Sequence, residues 1–296
     1  METKHLQYFH VDAFTEAPFA GSPTGVILLD ENLSDDVMQA IATELNHSET
    51  AFVTKLPQNA AHSDCAYYAL RWFTPEVEVQ LSGSATLAAA KVLQQEIGAD
   101  SSCIVFKTQY GEIFTKIRGE DITITLPLDD YEALDPSEQV LWYLGINDYQ
   151  RAVYSRNLKK LIIEVEDELT LSRIKPDFNK LRGIDLDFEL GGLCITCRSS
   201  NPADYDFASR YFNPWIGVDE DTITGSMHTV LALYWSRELE KQHLVAIQAS
   251  KRAGRLILDM TGQGTVDITG RAYVVIEGQI RIPLLSKVRP RSFLAQ

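Results

Sequence analysis

Short runs rich in β-branched and aromatic residues, bounded by turn residues, dominate the chain and predict strands. In the first half these are Leu6–Phe14, Val26–Leu29, Glu49–Thr54, Cys65–Phe73 and Ile122–Leu126. In the second half they are Leu161–Val165, Leu193–Cys197, Leu244–Gln248, Arg255–Met260 and Ala272–Glu277. A helical period is rarer. Ser34–Leu45 opens with a Ser cap and two Asp, then places Val37, Met38, Ile41 and Leu45 on one face. Ala85–Leu93 and Met227–Trp235 are helical but lack a broad polar face, which predicts burial on most sides. A buried helix among many strands predicts an α+β architecture in which a curved, mixed or antiparallel sheet wraps around a central helix.

That pattern occurs twice. Arg71-Trp72-Phe73-Thr74-Pro75, Gly83-Ser84, Thr86 and Ala88 are matched in order by Arg210-Tyr211-Phe212-Asn213-Pro214, Gly225-Ser226, Thr229 and Ala232. The Gly-Ser pairs lie 142 positions apart and the Arg runs 139, so the second copy carries three extra residues between its landmarks. Chance similarity of short segments is the alternative. A duplication predicts two pseudo-equivalent domains, 1–128 and 129–296, divided at the polar stretch Asp129–Glu138, with the last strand able to return to the first domain. Ser84 and Ser226 stand where N-caps are expected, and the Gly before each admits close backbone or ligand approach. Two helix N-termini facing one cleft would bind an anion such as a carboxylate. The alternative is that both serines only cap their helices.

Composition narrows the function. The chain has 296 residues, 45% hydrophobic and 23% charged, typical of a folded protein of about two domains. With 27 basic and 41 acidic residues, its net charge of −14 argues against nucleic acid and anionic membranes as partners. Cys65, Cys103, Cys194 and Cys197 are too few for a disulfide framework. Neither a signal peptide nor a membrane span is evident, and a reducing, cytoplasmic location is the simplest reading. Nucleophile-elbow, Walker and dinucleotide motifs are absent. Cys194 and Cys197, three apart on a strand, point to opposite faces and read as core rather than metal ligands. No cofactor or metal is expected.

Two carboxylates stand out by context. Glu49 lies at the mouth of an apolar strand, where partial desolvation would raise its pKa toward the range useful for proton transfer. Asp221 lies just before the second central helix. Read alone, each is equally an ordinary turn residue.

Together the landmarks resemble the phenazine-biosynthesis PhzF-like family, within the diaminopimelate epimerase-like fold. They are Asp12-Ala13-Phe14-Thr15, Pro18-Phe19-x-Gly21-x-Pro23, Ser48-Glu49-Thr50-Ala51-Phe52, the first Arg run and Gly83-x-Ala85-Thr86-Leu87-Ala88. Glu220-Asp221, Thr224-Gly225-Ser226-x-His228 and Gln248-x-Ser250-x-Arg252-x-Gly254 complete the set. The resemblance implies a cofactor-independent isomerase that moves a proton between carbons of a small conjugated amino or hydroxy acid held between two domains. Glu49 matches the general acid/base and Asp221 a residue that contacts and positions substrate. Ser48, Gly83, Ser84, Gly225 and Ser226 fall at substrate-binding positions. A homodimer is implied as well. Related epimerases use two cysteines, and no cysteine stands at the matching places here. Where the family carries a Cys-Gly-His sequence this chain has Ser82-Gly83-Ser84, and serine does not titrate near neutral pH. That substitution keeps open a second reading, a non-catalytic protein that binds small carboxylates on the same scaffold. A serine hydrolase using Ser84 or Ser226 is a weaker third, because His228 is two residues from Ser226 and helix positions two apart do not face each other.

Overall fold

A computed structural model describes residues 3–97 and 102–283. The first half runs β1 (Thr3–Ala13), β2 (Ser22–Leu29), α1 (Asp35–Leu45), β3 (Glu49–Lys55), β4 (Ala66–Phe73), β5 (Glu78–Val79), α2 (Gly83–Ile97), β6 (Cys103–Thr108), β7 (Gly111–Arg118) and β8 (Asp121–Pro127). The second runs β9 (Glu132–Ala133), α3 (Glu138–Leu144), β10 (Arg151–Ser155), β11 (Lys160–Glu164), α4 (Glu168–Arg173), α5 (Phe178–Arg182), β12 (Gly192–Arg198), β13 (Phe207–Asn213), β14 (Val218–Asp221), α6 (Gly225–Leu239), β15 (His243–Gln248), β16 (Gly254–Met260), β17 (Thr265–Gly270) and β18 (Ala272–Pro283).

The two halves repeat one pairing scheme. β2–β3, β3–β4, β4–β5 and β4–β6 pair parallel, antiparallel, antiparallel and parallel. β11–β12, β12–β13, β13–β14 and β13–β15 follow the same order. The Arg runs do equivalent work in each copy. Arg71 forks onto Glu78 across β4–β5, and Arg210 forks onto Glu220 across β13–β14. Each guanidinium also lies over the Phe two residues on, at 5.2 and 5.0 Å. The three extra residues fall between the paired Phe212 and Glu220, which match Phe73 and Glu78 in the first copy, and Pro214–Ile216 forms a short 3-10 turn there. The sheets join where β8 pairs with β17, and β18 crosses back to pair with β1 along its whole length.

α2 and α6 lie inside the curved sheets, in one core shared by both halves. α1 covers the outer face of the first sheet, and α3, α4 and α5 that of the second. The outer helices of the second half are too short to show a period, so the pattern of the chain did not reveal them. Cys194 and Cys197 pack into different core clusters on opposite faces of β12, as their spacing requires. Cys65 and Cys103 form one disulfide between the starts of β4 and β6, a pairing the cysteine count did not anticipate. No helix among the described residues is long and apolar enough to cross a membrane.

Candidate active site

The central helices meet end to end at the seam between the halves. A Cβ on Gly83 would lie 2.7 Å from Gly225 Cα, and one on Gly225 would lie 2.7 Å from Gly83 Cα. Only two glycines allow this approach, so the first-turn amides of α2 and α6 converge on one place. Both caps sit two residues earlier than expected. Ser82, not Ser84, caps α2 by accepting a hydrogen bond from the Ala85 amide at 3.2 Å. Thr224 occupies the cap position of α6. Ser84 and Ser226 belong to the first turns, which frees their hydroxyls for other partners.

Ser84 uses that freedom on Glu49. Its Oγ donates to Glu49 Oε2 at 3.4 Å and lies 3.2 Å from Ser82 Oγ. Glu49 is the first residue of β3, which delivers its half-buried side chain to the N-terminus of α2. Burial and the nearby Asp221 charge push its carboxyl well above the usual carboxylate range, against smaller opposing effects of Ser84 and Lys160. Ser48, next to it, makes no side-chain hydrogen bond to another described residue.

Asp221 ends β14 on the opposite side. Its Oδ2 accepts a hydrogen bond from Thr224 Oγ1, and its buried Oδ1 has no partner among the described residues. Burial raises this carboxyl too, although Thr224, Lys160 and nearby backbone amides pull it back. Two carboxyls raised in one place favour a state in which one of them is protonated rather than both being ionised.

The Gln248 to Gly254 motif builds the loop that carries Asp221. Gln248, fully buried, donates to Asp221 O and accepts from the Thr224 amide, both at 2.9 Å. Ser250 Oγ donates to Thr222 O at 2.9 Å. Arg252 reaches the other half, where it donates to Gly21 O at 3.0 Å and to buried Asp12 at 2.7 Å. Asp12 also accepts the Phe19 amide, at 2.7 Å. Several family landmarks are therefore braces that hold the site rather than parts of it. His228 does not engage Ser226; its Nδ1 lies 2.9 Å from Thr224 O, and burial lowers its pKa to about 4. Among the described residues no histidine contacts either serine: Ser84 meets Glu49 and Ser226 meets Lys160.

Sequence reasoning missed Lys160. It opens β11, is more than nine-tenths buried, and donates to Ser226 Oγ at 3.0 Å. Its signal was weak, since a lysine at the edge of an apolar strand usually points to solvent. Tyr211, inside the second Arg run, lies beneath it with its ring 4.7 Å from Nζ. No group of three His, Cys, Asp or Glu side chains among the described residues is arranged to hold a metal ion.

Comparison with known proteins agrees with this architecture. The phenazine biosynthesis-like protein family profile matches residues 11–278. An uncharacterized isomerase of Pseudomonas aeruginosa is 39% identical over 88% of this chain and 93% of its own. The crystal structure of a phenazine biosynthesis protein PhzF family member from Enterococcus faecalis superposes with a TM-score of 0.83 at 34% identity, covering 94% of this chain and 99% of that one. At 15% identity and a TM-score of 0.55, covering 95% and 92% of the two chains, a hydroxyproline epimerase from Agrobacterium vitis shares the fold alone. Matched along most of its length by profile, sequence and structure, the chain belongs to the PhzC/PhzF phenazine biosynthesis-like family.

Proposed function

We propose that this protein is a cofactor-independent isomerase that shifts a proton between carbons of a small conjugated amino or hydroxy acid. The observation that carries the reading is Glu49, a carboxyl raised by burial and a second carboxyl, set against the joined N-termini of two helices. Glu49 takes a proton from an activated carbon as carboxylate and returns it to another carbon as carboxylic acid, so no net proton is consumed. The amides of Gly83, Ser84, Gly225 and Ser226 hold the substrate carboxylate and stabilise negative charge that spreads into it. Asp221 and Ser48 orient the rest of the molecule. Residues 1–128 and 129–296 act as the two domains, and the seam opens to admit substrate because Ser84, Ser226 and Asp221 are otherwise buried. The P. aeruginosa relative, named as an isomerase, supports the reaction class. We also propose a homodimer, on the resemblance, which sedimentation equilibrium reads directly.

The test is solvent deuterium incorporation into a panel of conjugated cyclic amino acids, followed by NMR. Wild type incorporates deuterium and Glu49→Gln does not. Equal incorporation by both would remove Glu49 as the base. Ser84, which replaces a titratable His of the family pattern, favours the second reading of a carboxylate-binding protein. In that case ligands raise the melting temperature of wild type and Glu49→Gln alike, and no panel member exchanges.

A further inference from the structure

Lys160 is placed where a cation is costly. A helix N-terminus carries positive potential, yet this ammonium is anchored to Ser226 in the first turn of α6. It is more than nine-tenths buried, and no carboxylate lies within 4.0 Å of it among the described residues. An ammonium has three donors; among the described residues Ser226 Oγ takes one, while the Tyr211 ring faces it. The pseudo-symmetry sharpens this. Glu49 opens β3 opposite Thr24, whereas Gly192 opens β12 opposite Lys160. The seam therefore presents an acid against Ser84 on one side and a base against Ser226 on the other. Gly192 has no side chain to compete for the space; a Cβ there would meet Tyr211 Oη at 2.1 Å.

We propose that Lys160 is the specificity-determining cation of the seam: with Ser226 it receives the acid group of the substrate and selects small organic acids over their neutral isosteres. The proposal rests on the seam being the substrate site. A buried cation without a close counter-ion is offset when an anionic ligand arrives, and the anion is bound in a low-dielectric setting where the pairing is strong. A ligand lacking the charge leaves the ammonium as it was.

The charged and titratable groups around Lys160 decide its pH range. They are Glu49 from β3, Asp129 after β8, Cys194 from β12, Tyr211 from β13, Asp221 from β14 and His228 from α6. Burial lowers the ammonium pKa to about 8, against the opposing pull of Asp221, Cys194, Glu49 and Asp129. Carboxylate affinity is then full below about pH 8 and falls as the lysine loses its proton, by up to about tenfold per pH unit.

The experiment is calorimetric titration of the full chain with benzoate and with benzamide, using wild type, Lys160→Met and Lys160→Arg. Lys160→Met keeps the stem and drops the charge. We expect it to bind benzoate at least about tenfold more weakly and benzamide unchanged, and to lose the decline above pH 8. Lys160→Arg retains preference for the acid and moves the decline out of the accessible range. Equal benzoate affinity and the same pH profile in wild type and Lys160→Met overturn the role of Lys160 while leaving the seam as the site. Failure of wild type to bind benzoate at up to about 50 mM overturns both.

Discussion

Glu49 and Asp221 would each be ordinary turn carboxylates by their neighbours in the chain. What changes them is being brought together out of water at one seam. The stability consequence has a definite sign. Glu49 has a folded-state pKa above its unfolded value of 4.5, so the stability carried by its neutral form is complete below that value. It is lost as pH rises through the folded value, because ionising the buried group is disfavoured. Glu49→Gln keeps an oxygen to accept from Ser84 and cannot ionise. Urea unfolding should show equal stabilities near about pH 4 and a more stable variant at pH 7. A variant less stable than wild type at pH 7 would contradict the raised carboxyl.

At the scale of elements, the meeting of α2 and α6 depends on two glycines. Gly83→Ala places a methyl 2.7 Å from Gly225 Cα, and backbone cannot rotate out of the way as a side chain can. The cost should be about 1–3 kcal/mol, the usual range for overpacking. Gly225→Ala strains the same contact from the other side. Once one methyl has parted the helices the second meets less resistance, so the double variant should lose less than the sum of the two. Thermal denaturation of the three variants measures this, and strict additivity would mean that the helices do not share the contact. The N-caps were legible as residue types but misplaced by position. Ser82 and Ser84 are equally good caps on paper, and the choice turns on where the first helical hydrogen bond falls.

The whole molecule is held by contacts between sequence-distant segments. Arg252 joins the second half to the loop after β1 by its bonds to Asp12 and Gly21 O. Asp12 is fully buried, so Arg252→Met removes its guanidinium partner and leaves the Phe19 amide and His10, 3.5 Å away, which should cost about 3 kcal/mol in urea unfolding. Arg252→Lys should recover only part, because a single ammonium cannot span both acceptors. Pairing Arg252→Met with Asp12→Asn should restore much of the loss. If Arg252→Met alone costs nothing, the clip is not what joins these segments.

Local chemistry by itself determined much of this protein. Runs of β-branched and aromatic residues bounded by turn residues marked strands such as Glu49–Lys55, buried on both faces, and Gly254–Met260, whose burial alternates, to within a residue or two. Two helices without a polar face had to be interior. The matched Arg runs announced the duplication because each Arg must reach its own sheet-edge carboxylate. The short outer helices α4 and α5 were not legible, since one or two turns show no period. Nor was Lys160, whose setting is made by segments up to 111 positions away, from Glu49 on one side to Ser226 on the other. Tertiary structure alone decided which hydroxyl meets which charge, that Ser84 turns to Glu49 and Ser226 to Lys160, and that two glycines touch. Those facts depend on how two similar sheets face each other, and electrostatic shifts of buried groups follow distance in space rather than separation along the chain.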